Sequence, residues 1–179
     1  MEFVETKLSG AYLVRVKRIE DARGYFGRGF CQQEFAAHGL NPQVSQLNVG
    51  FSLKRGTLRG MHFQMAPHDE AKLVRCTRGR VLDVVVDLRP GSKTHRQWVA
   101  AELDPDEGPM LYCPEGCAHG YLTLTDNAEI YYLTSKPYAA ASARGVRYDD
   151  PAFAIGWPFA PTVISDQDRN WPDYTGATP

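Results

Sequence analysis

The sequence has no excess of charge. Its 20 Lys and Arg stand against 21 Asp and Glu, a formal net charge of −1. That argues against a nucleic-acid-binding surface, and an anionic ligand would have to meet positive charge gathered locally. It also has no run of apolar residues long enough to cross a membrane: Val81 to Leu88 is interrupted by Asp83 and Asp87. Cysteine is sparse. Cys31, Cys76, Cys113 and Cys117 do not form a disulfide framework in a chain of 179 residues. The opening Met1-Glu2-Phe3-Val4-Glu5 has neither the basic start nor the apolar run of a secretory signal. These absences predict a cytoplasmic protein with no membrane and no nucleic-acid partner.

What the chain does have is a globular composition, 43% apolar, and the length of one domain spanning residues 1–179. Apolar and polar residues alternate in short runs, the signature of strands. Strands are expected over Ala11–Val16, Gln43–Phe51, Gln97–Leu103, Met110–Cys113, Gly120–Leu124 and Glu129–Thr134. Lys72–Cys76 and Arg80–Leu88, joined at Thr77-Arg78-Gly79, read as a hairpin. Asp21-Ala22-Arg23-Gly24 is turn chemistry, and Gln32–His38 is a short helix ended by Gly39 and Pro42. Many short strands with Gly and Pro turns predict an all-β jelly-roll barrel or sandwich with a few short helices. The Pro-, Asp- and aromatic-rich tail after Trp157 is expected to cover one end as irregular structure.

Leu58-Arg59-Gly60-Met61-His62-Phe63-Gln64, followed by Lys72, carries the chemistry. A strand histidine facing inward can move a proton, and a nearby cation can hold an anion. Together they point to proton abstraction beside a carbonyl on a negatively charged substrate. A lone histidine is more often satisfied by a backbone carbonyl, but Arg59 and Lys72 favour the functional reading. His119, in Pro114–Gly120, is placed at a strand entrance, a frequent site position in small barrels. Of Tyr131 and Tyr132, adjacent on a strand, one faces in and one out. Asp149-Asp150-Pro151 reads as a tight turn, and Ser165-Asp166-Gln167-Asp168 as a solvated loop unless Asp168 reaches His62. Metal ligation is not expected. Cys113, Cys117 and His119 lack ribbon or finger spacing, and His62 is followed by Phe63 and Gln64 where a metal-binding jelly roll needs a His-x-His cluster.

Asp21-x-Arg23-Gly24-x-Phe26, Gln46-x-Asn48, Leu58 to Gln64, Lys72 to Cys76, Val86 to Arg89, Ala118-His119-Gly120 and Asp149-Asp150-Pro151 occur in order. Over about Val14 to Asp168 the chain resembles the dTDP-4-dehydrorhamnose 3,5-epimerases. The resemblance implies a metal-free, cupin-type jelly roll that works as a homodimer, without a cofactor, on a nucleotide-linked 4-keto-6-deoxyhexose. It places the family's base on His62, the carboxylate that orients it on Asp168, the general acid on Tyr132, and the residue beside the keto oxygen on Lys72. It assigns Arg23, Gln46, Asn48, Arg59 and His119 to diphosphate and sugar binding, and Phe26, which can stack on the base, and Arg28, at a nucleotide-facing position, are further substrate-binding candidates. The chemistry agrees: C3 and C5 flank the carbonyl, so each proton can leave to form an enolate at O4 that a lysine stabilises.

The chain also departs from the pattern. Arg28 and Ala143 stand where the family has glutamates, Leu47 where it has an aspartate, and Gln167 where it has a lysine. Arg28 offers donors only, which would suit an acceptor-rich base such as cytosine or guanine; thymine remains the default through the rest of the match. Alternatives are an epimerase acting at C3 or C5 alone, on a CDP- or GDP-linked sugar; a metal-dependent cupin oxygenase; and a non-catalytic sugar-nucleotide binder.

Overall fold

The computed structural model describes residues 1–176. In chain order it contains β1 (Glu2–Glu5), β2 (Tyr12–Arg15), β3 (Ile19–Asp21), β4 (Gly24–Phe26), α1 (Gln32–Ala37), β5 (Gln46–Ser52), β6 (Thr57–Gln64) and β7 (Lys72–Arg78). There follow β8 (Val81–Asp87), β9 (Trp98–Leu103), β10 (Met110–Cys113), β11 (Cys117–Thr123), β12 (Ala128–Thr134), β13 (Ala143–Gly145), β14 (Val163–Ile164) and α2 (Asp166–Arg169).

Two sheets face each other. One runs β1-β2-β10-β7-β12-β5 and the other β13-β6-β11-β8-β9; β3 and β4 form a separate hairpin. Val74, Leu111 and Ile130 of the first sheet meet Val85, Leu103 and Tyr121 of the second in the central core. Both sheets are also covered outside over part of their width. Phe35 of α1 packs on Val14, Leu73 and Met110, and the segment around Phe153 packs on Met61, Val84 and Val86. β8 and β11 are accordingly buried along almost their whole length on both faces, and the polar residues they carry, Asp83, Asp87 and His119, are buried too.

Three expectations need correction. Lys72–Cys76 and Arg80–Leu88 are strands, but they do not form a hairpin. β7 is flanked by β10 and β12, β8 by β11 and β9, so Gly79 turns the chain from one sheet into the other. Gly79 has φ +71°, and a Cβ there would sit 2.5 Å from Thr125 Oγ1, which explains the residue choice. Secondly, β11 starts at Cys117, because β8 pairs with it as far as Asp87 opposite Cys117. His119 is therefore inside a strand, not at its entrance. Thirdly, the tail is not wholly irregular: β14 pairs in parallel with β6 and leads into the capped turn of α2.

Asp87 anchors the loop after β8. It accepts hydrogen bonds from Ser92 (2.5 Å), Thr94 (2.6 Å) and Arg89 Nη2 (2.8 Å) while fully buried. Burial alone would raise its pKa, but these donors outweigh burial and lower it from 3.8 to about 2. A depressed folded-state pKa stabilises the fold above the ordinary carboxylate value and is lost as pH falls through the folded value. Asp87→Asn should therefore lose about 2 kcal/mol of ionisation-linked stability at neutral pH. Urea unfolding at pH 7, 4 and 2 checks this: the gap to the native protein should narrow between pH 4 and 2, and a constant gap would contradict it.

Candidate active site

The two sheets enclose a cavity of about 890 Å³ at one end of the sandwich. β6 supplies one wall. Strict alternation would send Arg59 and His62 to opposite faces, since they are an odd number of residues apart. A β-bulge corrects this. His119 pairs with His62 and Tyr121 with Arg59, so Gly60 and Met61 together oppose Gly120 alone. The two backbones approach closely: a Cβ on Gly60 would fall 2.5 Å from the Gly120 Cα. Arg59 and His62 thereby share the cavity wall.

His62 Nε2 lies 2.6 Å from Asp168 Oδ1. Asp168 comes from α2, whose N-cap Ser165 Oγ accepts from the Asp168 N–H at 3.0 Å. β14, paired on Thr57 and Leu58, aims that turn at the histidine. Asp168 is buried, whereas the His62 side chain is 46% exposed. Burial by itself would raise the Asp168 pKa. The hydrogen bond and charge of His62, with the Gly60 N–H at 3.3 Å, bring it below the ordinary value. The pair is thus a carboxylate fixing one ring nitrogen, with Nδ1 left to exchange a proton.

Lys72 opens β7 on the facing sheet. Its Nζ lies 2.9 Å from Glu70 Oε1 and donates to the His62 carbonyl at 3.1 Å, with both charged side chains buried. His119 Nε2 lies 2.7 Å from Asp83 Oδ1, again a buried pair. Burial pushes the Asp83 carboxyl up, and the charge and hydrogen bond of His119 only partly oppose this. Ile130, Tyr132 and Thr134 alternate into the cavity from β12, while Tyr131 is exposed on the outer face. Gln46 and Asn48 of β5 line the same wall, and Leu47 between them is 57% exposed on the other face. Arg59 donates to the Phe51 carbonyl at 3.0 Å and has no carboxylate partner among the described residues. Its charge is available to an anion.

Residues 5–175 match the sequence profile of the family described as dTDP-4-dehydrorhamnose 3,5-epimerase. The dTDP-4-dehydrorhamnose 3,5-epimerase of Sinorhizobium fredii is 41% identical over 173 residues, 96% of this chain and 89% of that protein. This chain belongs to the dTDP-4-dehydrorhamnose 3,5-epimerase family. The crystal structure of the enzyme from Elizabethkingia anophelis superposes with a TM-score of 0.93 at 35% identity, covering 97% of this chain and 96% of that one. A 3′-monoepimerase from Streptomyces bikiniensis, in complex with dTDP-quinovose, superposes with a TM-score of 0.85 at 36% identity, covering 94% and 85%. The chain is accordingly an isomerase of the sugar epimerase type, and the all-β, cupin-type jelly roll expected from its sequence is the fold it has.

The epimerase cavity brings together His62, Asp168, Lys72, Tyr132, Gln46, Asn48, Arg59 and His119. It does not include Arg23, Phe26 or Arg28, which sequence resemblance had grouped with them. Arg23 is paired with Asp21 on the exposed β3–β4 hairpin, where Phe26 is 73% exposed. Arg28 is held by Glu34 at 2.9 Å. Asp168 is buried on a capped turn and not in a solvated loop, because β14 ties that segment to β6. Sequence reasoning missed Glu70 and Asp83, the buried partners of Lys72 and His119. A carboxylate at i−2 of a strand lysine was the available signal for Glu70; Asp83 carried none, since its strand reads as core. No helix among the described residues is long and apolar enough to cross a membrane.

Proposed function

We propose that this epimerase inverts C3, C5 or both of a dTDP-linked 4-keto-6-deoxyhexose, in deoxysugar biosynthesis. The observation that carries this reading is the placement of the His62–Asp168 pair and Tyr132 on opposite sides of one cavity, which Lys72, on the same sheet as Tyr132, also lines. With its Nε2–H donated to Asp168, His62 takes the α-proton on Nδ1, and the carboxylate stabilises the imidazolium that forms. The electrons of the C–H bond pass into the enolate, whose O4 charge the buried Lys72 ammonium stabilises. Tyr132 then gives a proton to the opposite face of the carbon; its phenolate is reprotonated from solvent and the His62 imidazolium releases its proton to solvent, so both groups are restored. No redox step occurs. Arg59, Gln46, Asn48 and His119 hold the diphosphate and sugar.

Arg23, Phe26 and Arg28 reach a ligand only if it is bound by another copy of the chain. A homodimer supplies that arrangement. Leu47, Val49, Phe51 and Tyr131 expose an apolar sheet face, and the β3–β4 hairpin exposes Ile19 and Phe26. A single 20.0 kDa species in sedimentation at assay concentration would contradict the dimer. Arg28 is already paired with Glu34, which favours dTDP over a nucleotide selected by a free guanidinium. The four free thiols suit a reducing cytoplasm, and recovery of the protein from an oxidising compartment would count against that location.

The decisive experiment is solvent deuterium incorporation into dTDP-, UDP-, CDP- and GDP-linked 4-keto-6-deoxy sugars, read by mass spectrometry and NMR. Incorporation at C3, C5 or both of the dTDP sugar is expected. A protein that binds these sugars and exchanges none of their protons is a binder and not an epimerase.

A further inference from the structure

Trp171 follows α2 and borders the cavity beside the His62–Asp168 pair. Its ring is wedged against the backbone of Gly145: a Cβ there would fall 2.3 Å from both Nε1 and Cε2 of the indole. Gly145 is the residue paired with His62 across β13 and β6. The indole thus lies between the strand opposite His62 and the turn that carries Asp168.

Its Nε1 is buried without a hydrogen-bond partner. An indole N–H can only donate, and a buried donor left unpaired is disfavoured. Asp168 has capacity for it. Oδ1 accepts from His62 at 2.6 Å, but Oδ2 accepts only the long 3.3 Å bond from the Gly60 N–H. Burial raises the Asp168 pKa, and the Trp171 side chain acts with His62 and Gly60 to lower it. The unpaired N–H and the under-used Oδ2 thus belong to residues three apart in sequence that border the same cavity, with no ordinary hydrogen bond between them. Hydrogen bonds of this kind are often long before substrate binds and tighten in the complex.

We propose that Trp171 is a positioning residue of the epimerase, whose indole N–H closes on Asp168 as substrate fills the cavity and fixes the carboxylate that orients His62. The proposal rests on the His62–Asp168 reading given above. Neighbouring groups fit it. The charged side chains lining the same cavity are Lys72 and Glu70, which neutralise each other, Arg59, which is tied to the Phe51 carbonyl, Lys136, which is paired with Asp69, and Arg144, which donates to the Ala141 and Ala143 carbonyls. None of them donates to Asp168.

Trp171→Phe keeps an aromatic ring and removes the donor. Measured as deuterium exchange into the dTDP-4-keto-6-deoxy sugar, it should lower kcat on the order of 10-fold and leave KM close to the native value. Placed on Asp168→Asn, the same change should cost nothing further, since two residues acting through one contact are not additive. A native kcat in Trp171→Phe, or the same fractional loss in both backgrounds, overturns the proposal and leaves only packing. An arm that needs no variant is the Trp171 indole N–H resonance of the native protein. It should move downfield when the dTDP sugar is added, and an unmoved resonance overturns the proposal. Native protein that exchanges no deuterium overturns the epimerase reading and this role with it. Native exchange with an unimpaired Trp171→Phe overturns this role alone.

Discussion

His62→Ala is expected to lower deuterium exchange at every reacting carbon by on the order of 10²–10⁴-fold, the usual range for a positioned general base. Nucleotide binding should survive. The His62 side chain is 46% exposed, whereas Arg59, Gln46 and Asn48, the residues proposed to hold the ligand, line other parts of the wall. Removing the imidazole also leaves Asp168 buried with only the Gly60 N–H at 3.3 Å as donor in ordinary range. His62 is the strongest of the groups that bring the Asp168 pKa below its ordinary value against burial. A depressed carboxylate pKa stabilises the fold above the ordinary value, and that contribution disappears as pH falls through the folded one. The variant should thus also lose stability at neutral pH and lose less at acid pH. Exchange by mass spectrometry and binding of dTDP by calorimetry check the two halves. Native exchange rates in the variant would remove His62 from the reaction.

The chain shows how far local pattern reaches. β12 was legible as a strand with one tyrosine on each face, but which one turns inward came from resemblance; Ile130, Tyr132 and Thr134 face in, and Tyr131 faces out. The β7–β8 connection was misread because a glycine turn between two apolar runs looks the same whether the strands pair or enter facing sheets. What distinguishes them is that both flanks of each strand are already occupied, a property of the whole sheet. The shared face of Arg59 and His62 depends on the bulge at Gly60, and so on Gly120 sixty residues away in sequence. Asp168 was placed beside His62 by resemblance. By composition its segment is a solvated loop, and only pairing of Val163 and Ile164 with Thr57 and Leu58 brings it inward. Arg23, Phe26 and Arg28 mark the opposite limit. A linear motif groups them with the cavity residues, but the fold leaves all three outside the cavity lining.

Tyr132→Phe should separate the two halves of the reaction. Proton removal by His62 does not involve the phenol, so the enolate still forms and solvent deuterium still washes in. Reprotonation on the far face requires a donor there, and phenylalanine has none. The enolate is then reprotonated by the imidazolium that made it, on the original face. Deuterated sugar of unchanged configuration is expected, with epimer formation lowered on the order of 10²–10⁴-fold. The register supports the choice of residue. Tyr132 pairs with Asn48 and Val74 on the cavity-lining strands, and Tyr131, 39% exposed, lies on the opposite face. Substituting Tyr131 therefore provides the control. Tyr131→Phe should form epimer at the native rate; if it carries the defect and Tyr132→Phe does not, the reprotonating group lies elsewhere. NMR of the product in D₂O reads isotope and configuration in one spectrum. Loss of deuterium incorporation together with loss of epimer would mean that Tyr132 acts before the enolate forms, and would reverse the assignment of base and acid between the two sheets.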